Sequence, residues 1–241
     1  MIDTRGAILG LGAMLLGAVG VAFGSYALQW QPVWWSGFEI GPYISGVILI
    51  VAGAATVWTK TALWGARGLR LFFGAWVVLL HMPRVAAAPS DPLMWLGFCE
   101  ILAMVAGALM LTATLRGEAR MQLLARVLFG ACLLLFGATH FLYADFTASM
   151  VPAWIPPGQL FWAYATGVGH VAAGLAILSG VQARLAAGLV TVMFASFVVT
   201  LHGPRVAADP GNHAEWVMLG VALTLTGAAF AMFRALKRRA T

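Results

Sequence analysis

Residues 94–115 read MWLGFCEILAMVAGALMLTATL, an apolar run in which Glu100 is the single charged residue. A helix needs about 20 consecutive apolar residues to cross the roughly 30 Å hydrocarbon core of a bilayer, and this run has that length. Across all 241 residues, 62% are hydrophobic and 9% are charged, whereas about 25% are charged in soluble proteins. The composition excludes a water-soluble fold and predicts an all-α integral membrane protein.

Similar apolar segments follow one another along the chain, separated by short stretches rich in charged residues and proline. The segments are abundant in Gly and Ala, and such small side chains let helices pack closely within a membrane. Their lengths predict eight transmembrane helices at residues 6–28, 41–59, 69–88, 94–115, 122–143, 160–180, 183–203 and 214–236.

The basic residues divide unevenly between the loops on the two sides of the predicted bundle. Of the 14 Lys and Arg residues, all but Arg84 and Arg205 fall at the N-terminus, in the second, fourth and sixth loops, or in the C-terminal tail. The positive-inside rule therefore predicts that both termini are cytoplasmic. We interpret the net charge of +6 as a signal of topology. It indicates the lipid bilayer as the partner and does not indicate nucleic acid.

An internal repeat organises the chain. Residues 81–89 (HMPRVAAAP) match residues 202–210 (HGPRVAADP) at seven of nine positions, with an offset of 121 residues. The register predicts two four-helix repeats, residues 1–120 and 121–241. Because four is an even number, both copies enter the membrane in the same direction, and a pseudo-two-fold axis along the membrane normal is expected to relate them.

Each copy of the repeated motif carries a histidine and an arginine near the outer end of a helix. The motif proline lacks a backbone donor and disfavours helical geometry before it, so helices three and seven are predicted to stop near His81 and His202. Two interpretations stay open: Arg84 and Arg205 fix loops through acidic partners, or the motif binds a polar or anionic head such as a quinone ring. The candidate acidic partners are Asp91, Asp209, Glu39 and Glu215.

A haem held between the two motif histidines is geometrically conceivable. The sequence does not favour this haem site, because nothing in it fixes the separation of His81 and His202. No metal site is predicted.

The second repeat carries polar residues that the first repeat lacks. Helix five ends with His140 and Tyr143, and the matching end of helix one has no polar counterpart to them. His170 lies about 15 Å from the outer end of helix six at 1.5 Å per residue, and its counterpart is Leu49. Burying an ionisable residue at this depth is costly, which makes His170 and Glu100 candidate functional residues. The alternative is a neutral, structural histidine.

Residues 150–158 (MVPAWIPPG) form a rigid, aromatic loop between helices five and six. Proline and tryptophan in such a loop are typical of the membrane interface. The loop is therefore either an interfacial anchor or a lid over a pocket that contains His140 and Tyr143.

Other chemistry has little support from the sequence. Cys99 and Cys132 are far apart, lack CxxC spacing, and are predicted to pack as small apolar side chains, so no dithiol redox centre is expected. The sequence has no nucleophile with an adjacent base, no phosphate loop and no HExxH helix. It therefore gives no indication of a hydrolase or phosphotransferase. The sequence leaves open whether the protein is an enzyme.

Three segments of the second repeat, GATHF (137–141), VPAWIP (151–156) and FWAYATGVGHVAAGL (161–175), resemble the DoxX-like family of bacterial four-helix membrane proteins. The first repeat resembles the family through its helix pattern, Trp34 and the motif at residues 81–84. The whole chain is thus similar to a tandem fusion of two such units. This resemblance implies a multi-pass protein of the bacterial inner membrane. It also raises the expectation of a redox function linked to quinones.

Three functions follow as hypotheses. The first is a redox-associated subunit that binds a quinone-like, lipid-soluble ligand in a pocket of the second repeat. The second is a non-catalytic scaffold or assembly subunit that packs on another membrane complex or on copies of itself. The third is a small-molecule transporter. For the first hypothesis, the pocket residues are predicted to be His140, Tyr143, His170, His202 and Arg205.

Overall fold

The computed structural model describes residues 1–27 and 39–236, and these residues are almost entirely helical. The predicted loop around Trp34 and the tail beyond residue 236 lie outside the described residues. The helices are α1 (Ala7–Phe23), α2 (Gly41–Val57), α3 (Ala62–Trp76), α4 (Met82–Ala87), α5 (Pro92–Arg116), α6 (Ala119–Leu142), α7 (Ala144–Met150), α8 (Gln159–Ser179), α9 (Ala183–Phe197), α10 (Gly203–Ala208) and α11 (His213–Ala235).

Helix length and composition identify a polytopic membrane protein. Six helical stretches within the described ranges are long and apolar enough to cross a bilayer. Helices α1 and α2 are also apolar but shorter, at 17 residues each. The prediction of an all-helical membrane fold is confirmed at this level. The six stretches are Ala62–Ala87, Pro92–Arg116, Ala119–Leu142, Gln159–Ser179, Ala183–Ala208 and His213–Ala235.

Helices α5 and α11 form the centre of the bundle. In each of them, 67% of the apolar membrane-spanning stretch is buried inside the protein, whereas the other four spans have 28–39% buried. Helix α5 packs on α3, α6 and α11, while α11 packs on α1, α5 and α9. Gly107 of α5 lies directly against Ala228 of α11, so that this contact admits small side chains alone. The apolar outer faces of the other helices are left in contact with lipid.

Glycine pairs bring neighbouring helices together in both parts of the chain. A Cβ atom added to Gly46 of α2 would lie 2.6 Å from the carbonyl oxygen of Gly17 in α1. Likewise, a Cβ atom on Gly137 of α6 would lie 2.9 Å from the carbonyl oxygen of Gly167 in α8. Such close backbone contact requires the absence of a side chain, and in the second case it sets the spacing of the helices that carry His140 and His170.

The prediction that helices three and seven stop at their histidines is wrong. Each helix passes through one wide π-helical turn, Val77–His81 or Val198–His202, and continues as α4 or α10. The N–H of Met82 bonds to the carbonyl of Val77, five residues earlier. A proline ring clashes with the carbonyl four residues before it in an α-helix. We attribute the continuation of each helix past its proline to the wider π-helical turn, because this turn changes the backbone hydrogen bonding before the proline.

Candidate functional site

The packing of α6 on α8 brings His140 and His170 together. Their ring centroids are 4.9 Å apart. His170 is 2% exposed, and His140 is half-buried. Gly167 makes this approach possible, because its Cα faces the Cβ atom of His140 without an intervening side chain.

Hydrogen bonds fix the orientation of both imidazole rings. Nδ1 of His170 lies 2.8 Å from the carbonyl oxygen of Thr166, and Nδ1 of His140 lies 3.1 Å from the carbonyl oxygen of Ala163. A carbonyl oxygen can only accept, so each Nδ1 carries the proton and donates. In the neutral ring, Nε2 is then the acceptor. The pair therefore offers two Nε2 lone pairs.

The hydroxyl of Thr166 connects the two histidines. Its Oγ1 lies 3.0 Å from Nδ1 of His140 and donates to the carbonyl oxygen of Trp162 at 2.7 Å. Since the carbonyl of the same residue holds His170, Thr166 positions both rings. The sequence analysis missed this residue, although its spacing of four from His170 on one helix face is a usable signal.

Aromatic side chains surround the buried histidine. The ring of His170 lies 5.9 Å from Phe136, 5.5 Å from Phe194 and 6.5 Å from Phe197, measured between ring centroids. The histidines are thus polar groups within an otherwise apolar wall built from α6, α8 and α9.

A cavity of about 360 Å³ lies between the segment that follows α7 and the second π turn with α10. This volume is at the lower end of the range for ligand pockets, about 300–1,000 Å³. Thr200 lines the cavity and follows Phe197, which contacts His170, by three residues. Its other lining residues include Met150, Trp154, Gln159, Leu201 and Arg205.

Arg205 lines the cavity and forms an ion pair with a residue of α11. Its Nη1 lies 3.4 Å from Oε1 of Glu215 and 3.3 Å from Sδ of Met150. Glu215 is one of the acidic partners that the sequence proposed for the motif arginines. The Oε2 atom of Glu215 is buried and has no hydrogen-bond partner among the described residues. Arg205 thus both pairs with Glu215 and lines the cavity.

Arg205 lines this cavity, whereas His140, His170 and the other predicted site residues do not. His81 packs on α5, where a Cβ atom on Gly97 would lie 3.2 Å from its Cε1. The turn that carries His202 packs on α11. Arg84 follows His81 in α4, Tyr143 lies at the junction of α6 and α7, and Glu100 lies half-buried on α5.

No metal site accompanies these residues in the part of the chain that the structure describes. Groups of three or more His, Cys, Asp or Glu side chains that could hold a metal ion are absent there.

A comparison with known protein families matches part of the chain. Residues 121–203 match the family model described as DoxX, a range that covers α6 to the second π turn. No curated protein and no solved structure matches the chain. The matched range contains His140, Thr166, His170 and His202, and it ends before Arg205.

Proposed function

We propose, from the membership of residues 121–203 in the DoxX family, that this membrane protein binds a quinone-like, lipid-soluble ligand and serves redox chemistry. The observation that carries the proposal is the contact of His140 with His170, in the same part of the chain as the cavity lined by Arg205. The site would lie in the second repeat, at the ends of α6, α8 and α9.

The polar groups of the site match the two redox states of a quinone. The oxidised ring has two carbonyl oxygens that require donors, and the guanidinium of Arg205, which lines the cavity, carries several. The reduced ring has two hydroxyl groups that require acceptors. We propose the Nε2 atoms of His140 and His170 as these acceptors, although neither residue lines the cavity itself. The apolar tail of such a ligand would stay in the surrounding lipid.

Comparison of the repeats supports a role beyond folding for His170. Its counterpart, Leu49, is 1% exposed, so the scaffold accommodates an aliphatic side chain at this position. A buried polar group costs free energy unless it is paired, and the carbonyl of Thr166 provides that pair. The fold therefore accommodates the histidine without needing it.

The test is the binding of decylubiquinone to the purified, detergent-solubilised protein and to a His170→Leu variant. We expect the variant to bind at least about tenfold more weakly, equivalent to about 1.4 kcal/mol. Its thermal stability should change by no more than about 1 kcal/mol, the value of one hydrogen bond. Calorimetric titration and thermal unfolding measure the two quantities.

Arginine variants provide a matched control for this experiment. Arg205→Ala removes a donor from the cavity and should weaken binding, whereas Arg84→Ala changes the same motif in the first repeat and should not. If the parent protein retains no quinone and His170→Leu destabilises the bundle, the histidine is structural and the scaffold hypothesis gains.

We further propose that residues 1–120 and 121–241 form two four-helix repeats related by a pseudo-two-fold axis along the membrane normal. Local structure at the offset of 121 residues supports this arrangement. Nε1 of Trp95 donates to the carbonyl of Pro89 at 2.9 Å, and Nε1 of Trp216 donates to that of Pro210 at 2.9 Å. The packing of α6 on α5 likewise mirrors that of α1 on α11.

Under this proposal, α1 and α2 also cross the membrane, which gives eight spans in all. The protein would reside in the bacterial inner membrane with both termini in the cytoplasm. An experimental structure in which the halves superpose by a rotation near 180°, with His81 over His202 and Arg84 over Arg205, would support the repeat. An in-plane axis between the halves would contradict it.

A further inference from the structure

Arg126 is a cation of the membrane-spanning helix α6, and none of the ion pairs among the described residues includes it. It lies seven residues from Ala119, the first residue of that helix, or about 10 Å along the axis at 1.5 Å per residue. The side chain is half-buried. Its Nε atom is buried and has no hydrogen-bond partner in the part of the chain that the structure describes. An arginine at this depth is costly unless a polar or anionic group accompanies it.

The end of α8 holds the guanidinium in a defined place. Gly180 follows α8 with a φ of 78°, a backbone conformation that favours glycine. A Cβ atom on Gly180 would lie 2.9 Å from Nη1 of Arg126, so the missing side chain also makes room for the guanidinium. The end of a helix carries about half of a negative charge. The end of α8 therefore orients Arg126 and leaves part of its charge uncompensated.

Arg5, which stands 121 residues before Arg126, has an acidic partner. Its Nη2 lies 2.6 Å from Oδ2 of Asp3, and Asp3 is 2% exposed. At the same offset from Asp3 the chain has Leu124, which carries no charge. The chain thus supplies a buried carboxylate for Arg5 and none at the corresponding position for Arg126.

The surface around Arg126 is apolar and faces lipid. Leu123, Leu124 and Val127 of α6 are exposed, and so is Val181, which follows Gly180. An inorganic anion would have to leave water to reach this surface. A phospholipid brings its phosphate to the same depth as its glycerol backbone and covers the apolar side chains with its acyl chains. The surroundings therefore favour a lipid as the source of the missing anion.

We propose that Arg126, held against the end of α8, binds the phosphate of an anionic phospholipid. The guanidinium presents its N–H donors in a planar fork that matches two phosphate oxygens. A headgroup with net negative charge is preferred, because a zwitterionic headgroup carries its own cation beside the phosphate. The site is 14 residues along α6 from His140, or about 21 Å. It is therefore separate from the proposed quinone site and does not depend on it.

The test is native mass spectrometry of the purified protein in detergent, titrated with dioleoylphosphatidylglycerol and, separately, with dioleoylphosphatidylcholine. We expect the parent to bind one phosphatidylglycerol molecule more tightly than phosphatidylcholine. Arg126→Gln should weaken this binding at least about tenfold, the loss expected when hydrogen bonds to a charged group are removed. Inorganic phosphate, added at the concentration of the lipid, should not displace phosphatidylglycerol.

Two variants control the experiment, and gel filtration monitors their folding. Arg120→Gln removes an exposed arginine from the same helix and should bind phosphatidylglycerol as the parent does. Leu124→Asp keeps Arg126 and gives it the acidic partner that Arg5 has, so this variant should also bind the lipid at least about tenfold more weakly.

Three results would overturn the lipid site. The first is equal binding of the two lipids by the parent, and the second is an equal loss of binding in Arg120→Gln and Arg126→Gln. The third is a Leu124→Asp variant that binds phosphatidylglycerol as tightly as the parent. Displacement of the lipid by inorganic phosphate would show that the site takes a free anion, which also contradicts the proposal.

Discussion

Asp3 is a buried carboxylate that holds the N-terminus against the loop between α2 and α3. It is 2% exposed, and its N–H donates to the carbonyl of Val57 at 2.7 Å. Its carboxylate accepts from Arg5, with Nε at 3.0 Å and Nη2 at 2.6 Å. The side-chain hydrogen bond from Arg5 lowers the pKa of Asp3, against the opposing effect of burial.

Replacement of Asp3 by Asn is expected to destabilise the protein in a pH-dependent way. A carboxyl whose pKa is lowered on folding stabilises the native state above its ordinary value of 3.8, and the contribution is lost as pH falls through the lowered value. Near pH 7 we expect a loss of about 1 kcal/mol, because Arg5 is partly exposed. Thermal unfolding followed by circular dichroism should show a difference that vanishes at strongly acid pH.

Arg5→Gln serves as the partner variant for this prediction and should show the same pH dependence. A difference between the parent and Asp3→Asn that stays constant at all pH values would mean that the charge is not the cause.

At the scale of the elements, glycine contacts determine how closely the central helices approach. Gly107→Ala would place a Cβ atom into Ala228 and force α5 and α11 apart. Overpacking of this kind costs about 1–3 kcal/mol. We therefore expect a lower midpoint of thermal unfolding in detergent.

Gly74→Ala is the matched control for the glycine prediction. Gly74 lies within α3, and an added Cβ atom would have nothing within 4 Å. Alanine is favoured over glycine in a helix by about 1 kcal/mol, so this variant should be as stable as the parent or more stable. Equal losses in both variants would indicate that close contact of α5 with α11 does not contribute to stability.

At the scale of the whole molecule, the distribution of basic residues predicts the orientation in the membrane. Alkaline phosphatase fused after residue 152, beyond α7, should be active because it is exported. The same enzyme fused after residue 118, between α5 and α6, or at the C-terminus should be inactive. Green fluorescent protein at these positions should give the reciprocal pattern. The reverse result would contradict both the topology and the outward placement of the candidate site.

The class of the fold could be predicted from the sequence because its causes are local. Each spanning helix satisfies its own backbone hydrogen bonds, and its apolar composition matches the bilayer regardless of its neighbours. Residues 94–115 therefore predicted a helix that the structure extends by only a few residues, Pro92–Arg116. The same reasoning identified His170 as a residue facing the interior of the bundle, which its burial confirms.

The composition of the candidate site depended on tertiary structure. The ion pair of Arg205 with Glu215 was one of several that the sequence allowed, and packing selected it. The contact of Gly107 with Ala228 and the central position of α5 and α11 were absent from the predictions. These features arise where small residues on separate helices allow close approach. Hydropathy along the chain determines which segments enter the membrane, whereas the fit of side chains between segments determines which residues meet.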